Sequence, residues 1–318
     1  MLRFVMTDTD GKEHILTRPL RLTVRMDEDI PADDLYAVFV YERLGELTRL
    51  RLYDDDTLLF VGDVDEQEEE LSERGRYLKI SARSLAARLL DNEAAPQIYD
   101  HPDAALIFRR HVGRYGIRWQ SGENATYYGE LPVTKGMSQW AVVKNFCNAC
   151  FSSSPRVTAD GLLRMKDYVD HRKVLFSDTG EGVEYTQLRV TKKRCEELSR
   201  INIKISDDDG YRYRMDHTDA LARGIRRERY LNAVLESTPM TCADTMLQRA
   251  DSKSFGIRVH CPGRLLDMMG RSASVQNQTL GAFDNLYISA VRYSLDDKGE
   301  ASTLLLKRRK NRCGSQDM

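Results

Sequence analysis

The residues whose spacing most invites chemistry are Cys147-Asn-Ala-Cys150. Two thiols separated by two residues can exchange a disulfide or supply half of a tetrahedral zinc site. The redox version opens a helix after a strand, where the helix dipole lowers the thiol pKa. Here both cysteines fall deep inside a predicted helix running from about Ser138 to Phe151. Trp140, Val143, Cys147, Cys150 and Phe151 lie within about 100° of one another on its wheel, an apolar stripe of normal width. No second C-x-x-C or H-x-x-x-H completes a zinc site, and Cys195, Cys242, Cys261 and Cys313 are scattered. The spacing therefore predicts buried core, ahead of metal and redox roles.

Two acidic triplets, Asp54-Asp55-Asp56 and Asp207-Asp208-Asp209, invite a calcium or paired-carboxylate reading. A calcium loop needs oxygen ligands at alternating positions and a closing Glu, a register neither triplet has. Both sit between alternating strands, which makes them turns. His101, His111, His171, His217 and His260 show no ligand spacing, and His111 rests on the apolar face of its helix. No G-x-S-x-G, P-loop or dinucleotide glycine pattern is present. A glycoside hydrolase needs two carboxylates across a cleft, which cannot be picked out of 49 acidic residues by eye, so a wall-cutting enzyme stays open. The sequence assigns no catalytic, cofactor-binding or metal-binding residue.

The elements that would position these residues are clearest from Leu47 to Ala95. Leu50 and Leu52 alternate with Arg49, Arg51 and Tyr53, the period of a half-buried strand. After the Asp54–Asp56 turn, Thr57 to Val64 forms a second strand, covered on both faces at its centre. Tyr77 to Ser81 is a third, and Ser84 is placed to cap a helix carrying Leu85, Leu89 and Leu90 on one stripe. Upstream, Leu16 to Met26 and Leu35 to Glu42 alternate as strands around a loop containing Pro31.

The middle changes character. Pro102 suits a first helical turn, followed by Ala104, Ile107, Phe108, His111 and Val112, with Gly113 and Gly116 at the end. Beyond the Ser138–Phe151 helix, Arg156 to Tyr168 reads as a hairpin around Asp160-Gly161. From about Glu184 the β pattern returns: Ile201, Ile203 and Ile205 alternate, Asp209-Gly210 turns, and Tyr211, Tyr213 and Met215 alternate back. A helix at Cys242–Lys253, a strand at Ile257–Cys261 and a Cys261-Pro262-Gly263 turn follow. The last strands, Leu286–Tyr293 and Ser302–Lys307, are joined at Asp296-Asp297-Lys298-Gly299. Hairpins with one helix thus occur towards both ends, an architectural duplication without shared sequence.

The 318 residues give room for two or three domains, with 41% hydrophobic and 31% charged residues. A net charge of −1 excludes a protein that coats duplex DNA, which requires a basic excess. Charge is nonetheless uneven: Glu66–Glu70 is acidic, Arg223–Arg229 and Lys307–Lys310 basic, as solvated loops and strand edges or as contacts for an oppositely charged surface. No signal peptide is expected in the first residues, and no run approaches a membrane span. The six cysteines are expected to be reduced in a cytoplasm.

Three phrases carry a resemblance: FVGDVD at Phe60–Asp65, KISARSLAARLLDNEA at Lys79–Ala94, and ISAVRYSLDDKGEASTLLLKR at Ile288–Arg308. Together they resemble the baseplate hub proteins of contractile-tailed phages and phage-tail-like bacteriocins, in the late control D-like form of Gram-positive prophages. The resemblance spans roughly residues 15 to 310. It implies an α+β, mainly β fold with two tail-tube-like antiparallel β-barrel domains around a helical or mixed region. The corresponding divisions are 1–96, 97–180 and 181–310, with 311–318 a polar tail. It further implies a non-enzymatic, cofactor-free homotrimer whose six barrels let a three-fold spike meet a six-fold tube. The implied partners are the tail tube protein, a spike or LysM-type adaptor protein, other baseplate proteins and the tape measure protein, with no membrane and no sequence-specific nucleic acid. Such a chain is made in the bacterial host cytoplasm and built into the tail baseplate. The family carries no active-site phrase, so no residue roles transfer. The alternatives are a cell-wall glycan hydrolase or glycan-binding tail component, and an unrelated cytoplasmic β-rich binding protein.

Overall fold

The structure, a computed structural model, describes residues 1–120, 122–166, 170–208, 210–234 and 239–308. The chain opens with β1 (Leu2–Asp8), β2 (Glu13–Thr17), β3 (Arg21–Asp27), β4 (Asp34–Val40), β5 (Leu47–Asp54), β6 (Thr57–Ser72) and β7 (Gly75–Ser84), then a short α1 (Ala87–Leu90). The middle carries β8 (Gln97–Asp100), α2 (Ala104–His111), β9 (Arg118–Trp119), β10 (Glu130–Val133), α3 (Gln139–Phe151), β11 (Arg156–Val157) and β12 (Leu162–Arg164). Then come β13 (Asp170–Ser177), β14 (Gln187–Lys192), β15 (Arg200–Lys204), β16 (Tyr213–Asp216), α4 (Thr218–Ala222), β17 (Glu228–Asn232) and α5 (Pro239–Ser254). The last strands are β18 (Phe255–Pro262), β19 (Arg271–Asn277), β20 (Gly281–Asp296) and β21 (Gly299–Arg308). The fold is mainly β, with large antiparallel sheets.

Two compact units form. The first gathers Met1–Tyr168, His260–Met269 and Ser289–Leu304; the second gathers Val169–Val259, Gly270–Ile288 and the residues from Leu305. Both are discontinuous in sequence.

In the first unit the strands lie in the order β18-β21-β20-β3-β4-β7-β6-β5-β1-β2. Period-two alternation places Leu22, Val24, Leu35, Ala37, Phe39, Leu50, Leu52, Leu78 and Ile80 on one buried face. The sheet curls round this core. Arg264, just past β18, lies 2.9 Å from Asp54 at the end of β5, although the two strands are seven places apart in the sheet. A flat sheet would hold them roughly 34 Å apart at ~4.8 Å per strand. Far-separated register completes the set: Val24 pairs with Tyr293 and Leu22 with Leu295.

Several sequence expectations shift here. Leu16–Met26 is two strands, because Arg18 adopts φ 57° ahead of Pro19 and turns the chain, leaving Leu20 exposed. Ser84 does not cap a helix. Pairing between β6 and β7 continues to Gly62 opposite Ser84, and the Ser84 hydroxyl accepts a hydrogen bond from the Asp33 amide at 3.0 Å. The helix that follows has only four residues, with Ala86 at its start and no side-chain cap, while Leu85 and Leu89 are buried. Pro102 precedes α2 rather than opening it; Asp103 is the cap, its carboxylate accepting from the Leu106 amide at 2.6 Å. The Asp160-Gly161 turn joins β11 to β12 with Gly161 at φ 76°; Tyr168, the expected end of that hairpin, lies outside the described residues. α2, α3 and these short strands share one apolar core that includes Ile107, Val112, Trp140, Val143, Phe146 and Leu163.

In the second unit β13 runs parallel to β19, and β19 is antiparallel to β20. A separate three-stranded sheet, β16-β15-β17, lays Ile201 and Ile203 against Ala243, Leu247 and Ala250 of α5. That is the alternation read from Ile201 and Ile203 in sequence; Asp209 of the expected turn lies outside the described residues.

Candidate functional site

The two cysteines of the C-x-x-C pair sit in α3, whose first turn is fixed by Ser138 accepting from the Ala141 amide at 3.2 Å. Cys147 is fully buried beside Val143 and Phe146. Cys150 is half-buried, and burial pushes its thiol up to about 11. Cys261 is fully buried, and burial pushes its thiol up to about 12. The Cys150 and Cys261 thiols are thereby held in the form that is a poor nucleophile and a poor metal ligand. Among the described residues no group of three His, Cys, Asp or Glu side chains could hold a metal ion. Cys195 is exposed and Cys242 half-buried; Cys313 lies outside the described residues.

Each acidic triplet marks a turn that carries an ion pair among its described residues. Asp54 meets Arg264 at 2.9 Å and the α-amino group of Met1 at 3.2 Å, while Asp55 meets that amino group as well and is held below the usual carboxylate range by it. Asp207 pairs with Lys204 at 2.8 Å.

The histidines are dispersed and bonded locally. His111 is buried between the Tyr99 hydroxyl at 3.0 Å and the Gln139 side-chain carbonyl at 2.6 Å. A carbonyl accepts only, so Nδ1 carries the proton and Nε2 accepts from Tyr99. Burial holds His111 below its usual pKa, opposed by the Gln139 bond. His217 accepts from the Ala220 amide at the start of α4 and donates to Asp251 at 2.7 Å. His260 contacts Thr303 at 3.0 Å, His101 bonds to the neighbouring Asp100, and His171 is exposed. No two of them share a site among the described residues.

One buried carboxylate escapes sequence reasoning. Asp33 is 4% exposed, and burial pushes its pKa up to about 6 against the pull of Arg156, 3.3 Å away. Its backbone exchanges bonds with Ser84. Its sequence signal was only a loop containing Pro31, because Arg156 lies 123 positions away. The pair ties the β3–β4 connection to β11, which is an architectural role.

No family model matches the chain, and none of the curated proteins matches it. Solved structures do. The tail protein from Neisseria meningitidis MC58 aligns with a TM-score of 0.77 at 16% identity, over 96% of this chain and 96% of that one. The 43 kDa tail protein of prophage MuSo2 from Shewanella oneidensis gives 0.76 at 14%, over 96% and 98%. The chain has the fold of phage tail proteins. The E. coli c3393 protein aligns at 0.60 and 10%, over all of this chain and 79% of that one. It is described as a component of the type VI secretion system with structural similarity to the T4 bacteriophage tail proteins gp27 and gp5.

The charged runs of the sequence lie on open surfaces or strand ends. The acidic run Glu66–Glu70 forms the outer half of β6, beyond Asp63 where β5 stops pairing. Arg223–Arg229 runs from the end of α4 into β17. The third charged run behaves differently: Lys307 is buried in β21, the Arg308 guanidinium lies 4.3 Å above the Phe255 ring, and Arg309 and Lys310 lie outside the described residues. No helix among the described residues is long and apolar enough to cross a membrane.

Proposed function

We propose that this chain is a structural hub of a phage tail or tail-like particle, acting by assembly and without catalysis. The observation that carries the reading is the end-to-end likeness of fold: 96% of the chain aligns with 96% and 98% of two tail proteins. Full burial of Cys147, the raised pKa of half-buried Cys150 and dispersal of the histidines support a non-catalytic role.

On this reading the tube-like barrels are one built on region 1–96 and completed by strands from Ser289–Leu304, and a second drawn from the rest of region 181–310, with 97–180 a helical insert. A homotrimer presents six barrels in a ring, similar but not identical around it, which reconciles a six-fold tube above with a three-fold spike or LysM-type adaptor below. The ring templates the first tube layer in a contractile baseplate, alongside other baseplate proteins and the tape measure protein. The curled sheet supports the barrel assignment for the N-terminal region, since a sheet that bends back on itself removes edges along most of its length.

The test is mass in solution by light scattering, first alone and then with the tail tube and spike-adaptor proteins of the same particle. A species near 110 kDa, three times the 36.5 kDa chain, supports the hub. A chain that stays monomeric and binds neither partner overturns it.

A further inference from the structure

Two surfaces of opposite charge are left without internal partners. On β6, strand β5 ends opposite Asp63, and the Gln67 side chain binds the Leu47 amide at 2.8 Å. From Glu68 to Ser72 no strand among the described residues lies on the outer side of β6. Glu66 and Glu69 are exposed and take part in no ion pair among the described residues, unlike Glu68 and Glu70, which share Lys79. The result is a bare, negatively charged sheet edge.

On the second unit, β17 is the end strand of its three-stranded sheet. Four arginines cluster in and beside it, and every guanidinium bond among them goes to a backbone carbonyl. Arg194 binds the Arg223 carbonyl at 3.0 Å, Arg226 those of Leu221 and Ile225, Arg227 that of Arg194, and Arg229 that of Glu228. None is in an ion pair with a carboxylate among the described residues, whereas Arg83, Arg88, Arg200 and Arg223 all are. Arg194, Arg226 and Arg227 line a shallow cleft of about 270 Å³ with Cys195, Gly224 and Ile225. A carbonyl fixes a guanidinium without neutralising it, so the positive charge is retained, and Arg194, Arg226 and Arg229 are exposed.

We infer that the acidic edge of β6 in one copy docks on the arginine-lined edge of β17 in the next. Each copy then uses two different surfaces, the head-to-tail contact that closes rings. Two sheet edges meeting add a backbone ladder to the charge pairing, and the charge selects the partner edge over like copies of itself. The inference rests on the self-association part of the hub reading and adds to it the surfaces that meet. Exposed pairs are screened by salt, so the contact weakens as ionic strength rises.

The experiment measures self-association of the full chain, alone or with its tube and spike partners, at low and high salt. Glu66→Lys with Glu69→Lys, and separately Arg226→Glu with Arg229→Glu, are each expected to weaken it at least ~10-fold, because like charges now face each other. The chain carrying all four substitutions is expected to recover. Weakening without recovery means the substitutions only damage the fold, and overturns the docking. Assembly unaffected by either pair overturns it too and leaves the hub reading intact. A wild-type chain monomeric in every mixture overturns both.

Discussion

The ring of Phe4 meets that of Phe39 edge to face, with centroids 5.0 Å apart, although β1 and β4 are four places apart in the sheet. In a flat sheet those strands would be roughly 19 Å apart, so the contact exists only because the sheet folds over its own core. Edge-to-face rings at this distance add ~0.5–1.5 kcal/mol beyond the area they bury. Phe4→Ala is expected to cost about 3–5 kcal/mol of folding stability, and the Phe4/Phe39 double-mutant cycle to show coupling of about 1 kcal/mol. Urea unfolding measures both; additive losses would mean the rings are stabilised independently.

Asp33 makes stability depend on pH in the direction opposite to an ordinary ion-paired carboxylate. Its folded pKa of about 6 lies above the ordinary carboxylate value of 3.8, so the folded state holds the proton more tightly. The associated stability is present below about pH 4 and is lost as pH rises through about 6. Relative to Asp33→Asn, the wild-type chain is expected to lose about 2 kcal/mol between pH 4.5 and 7.5. Chemical unfolding of both chains at several pH values checks this, since carboxylates such as Asp8 and Asp216, held low by their partners, cancel in the difference. A difference that does not vary with pH would show that Asp33 is ionised throughout.

Gly62 is required for close strand approach rather than for an unusual φ. A Cβ there would come 2.1 Å from the Arg83 carbonyl oxygen and 2.8 Å from the Phe60 ring. Gly62→Ala is expected to cost at least ~2–3 kcal/mol, because the obstacle is backbone and cannot rotate away. Thermal unfolding against an exposed control, Gly136→Ala, separates this clash from the general loss at a glycine; nothing lies within 4 Å of a Cβ at Gly136, although its φ of 87° adds its own strain.

Thiol labelling should sort the cysteines by burial. At pH 7.5 an alkylating reagent is expected to modify Cys195 first among the described cysteines, with Cys147, Cys150 and Cys261 reacting at least ~100-fold more slowly until the chain unfolds. Mass spectrometry of digests at timed intervals reads the order. Rapid modification of Cys150 would reopen a chemical role for the pair.

What was legible in the sequence was what local spacing encodes. Ser138 and the apolar stripe below it located α3, and the Ile201/Ile203 alternation located β15, because capping and periodicity act within a few residues. Ser84 misled for the same reason: its local context matches a cap, but a ladder bond from Gly62 and an amide from Asp33 hold it in β7. The pairing of Val24 with Tyr293 had no local signal, since alternation says that a strand has a buried face and not which strand lies beside it. The unneutralised arginines near β17 were visible as a basic run, but that their partners are carbonyls rather than carboxylates is a tertiary fact.

The pairing of β3 with β20 also sets a schedule. Val24 leaves the ribosome long before Tyr293 is made; at ~5–20 residues per second the gap is roughly 13–54 s. Through that interval β3 lacks a neighbour on one side, and the first sheet cannot finish. A nascent chain therefore cannot complete its first sheet until Ser289–Leu304 has been synthesised. Translation itself acts as a timer on the closing of this sheet.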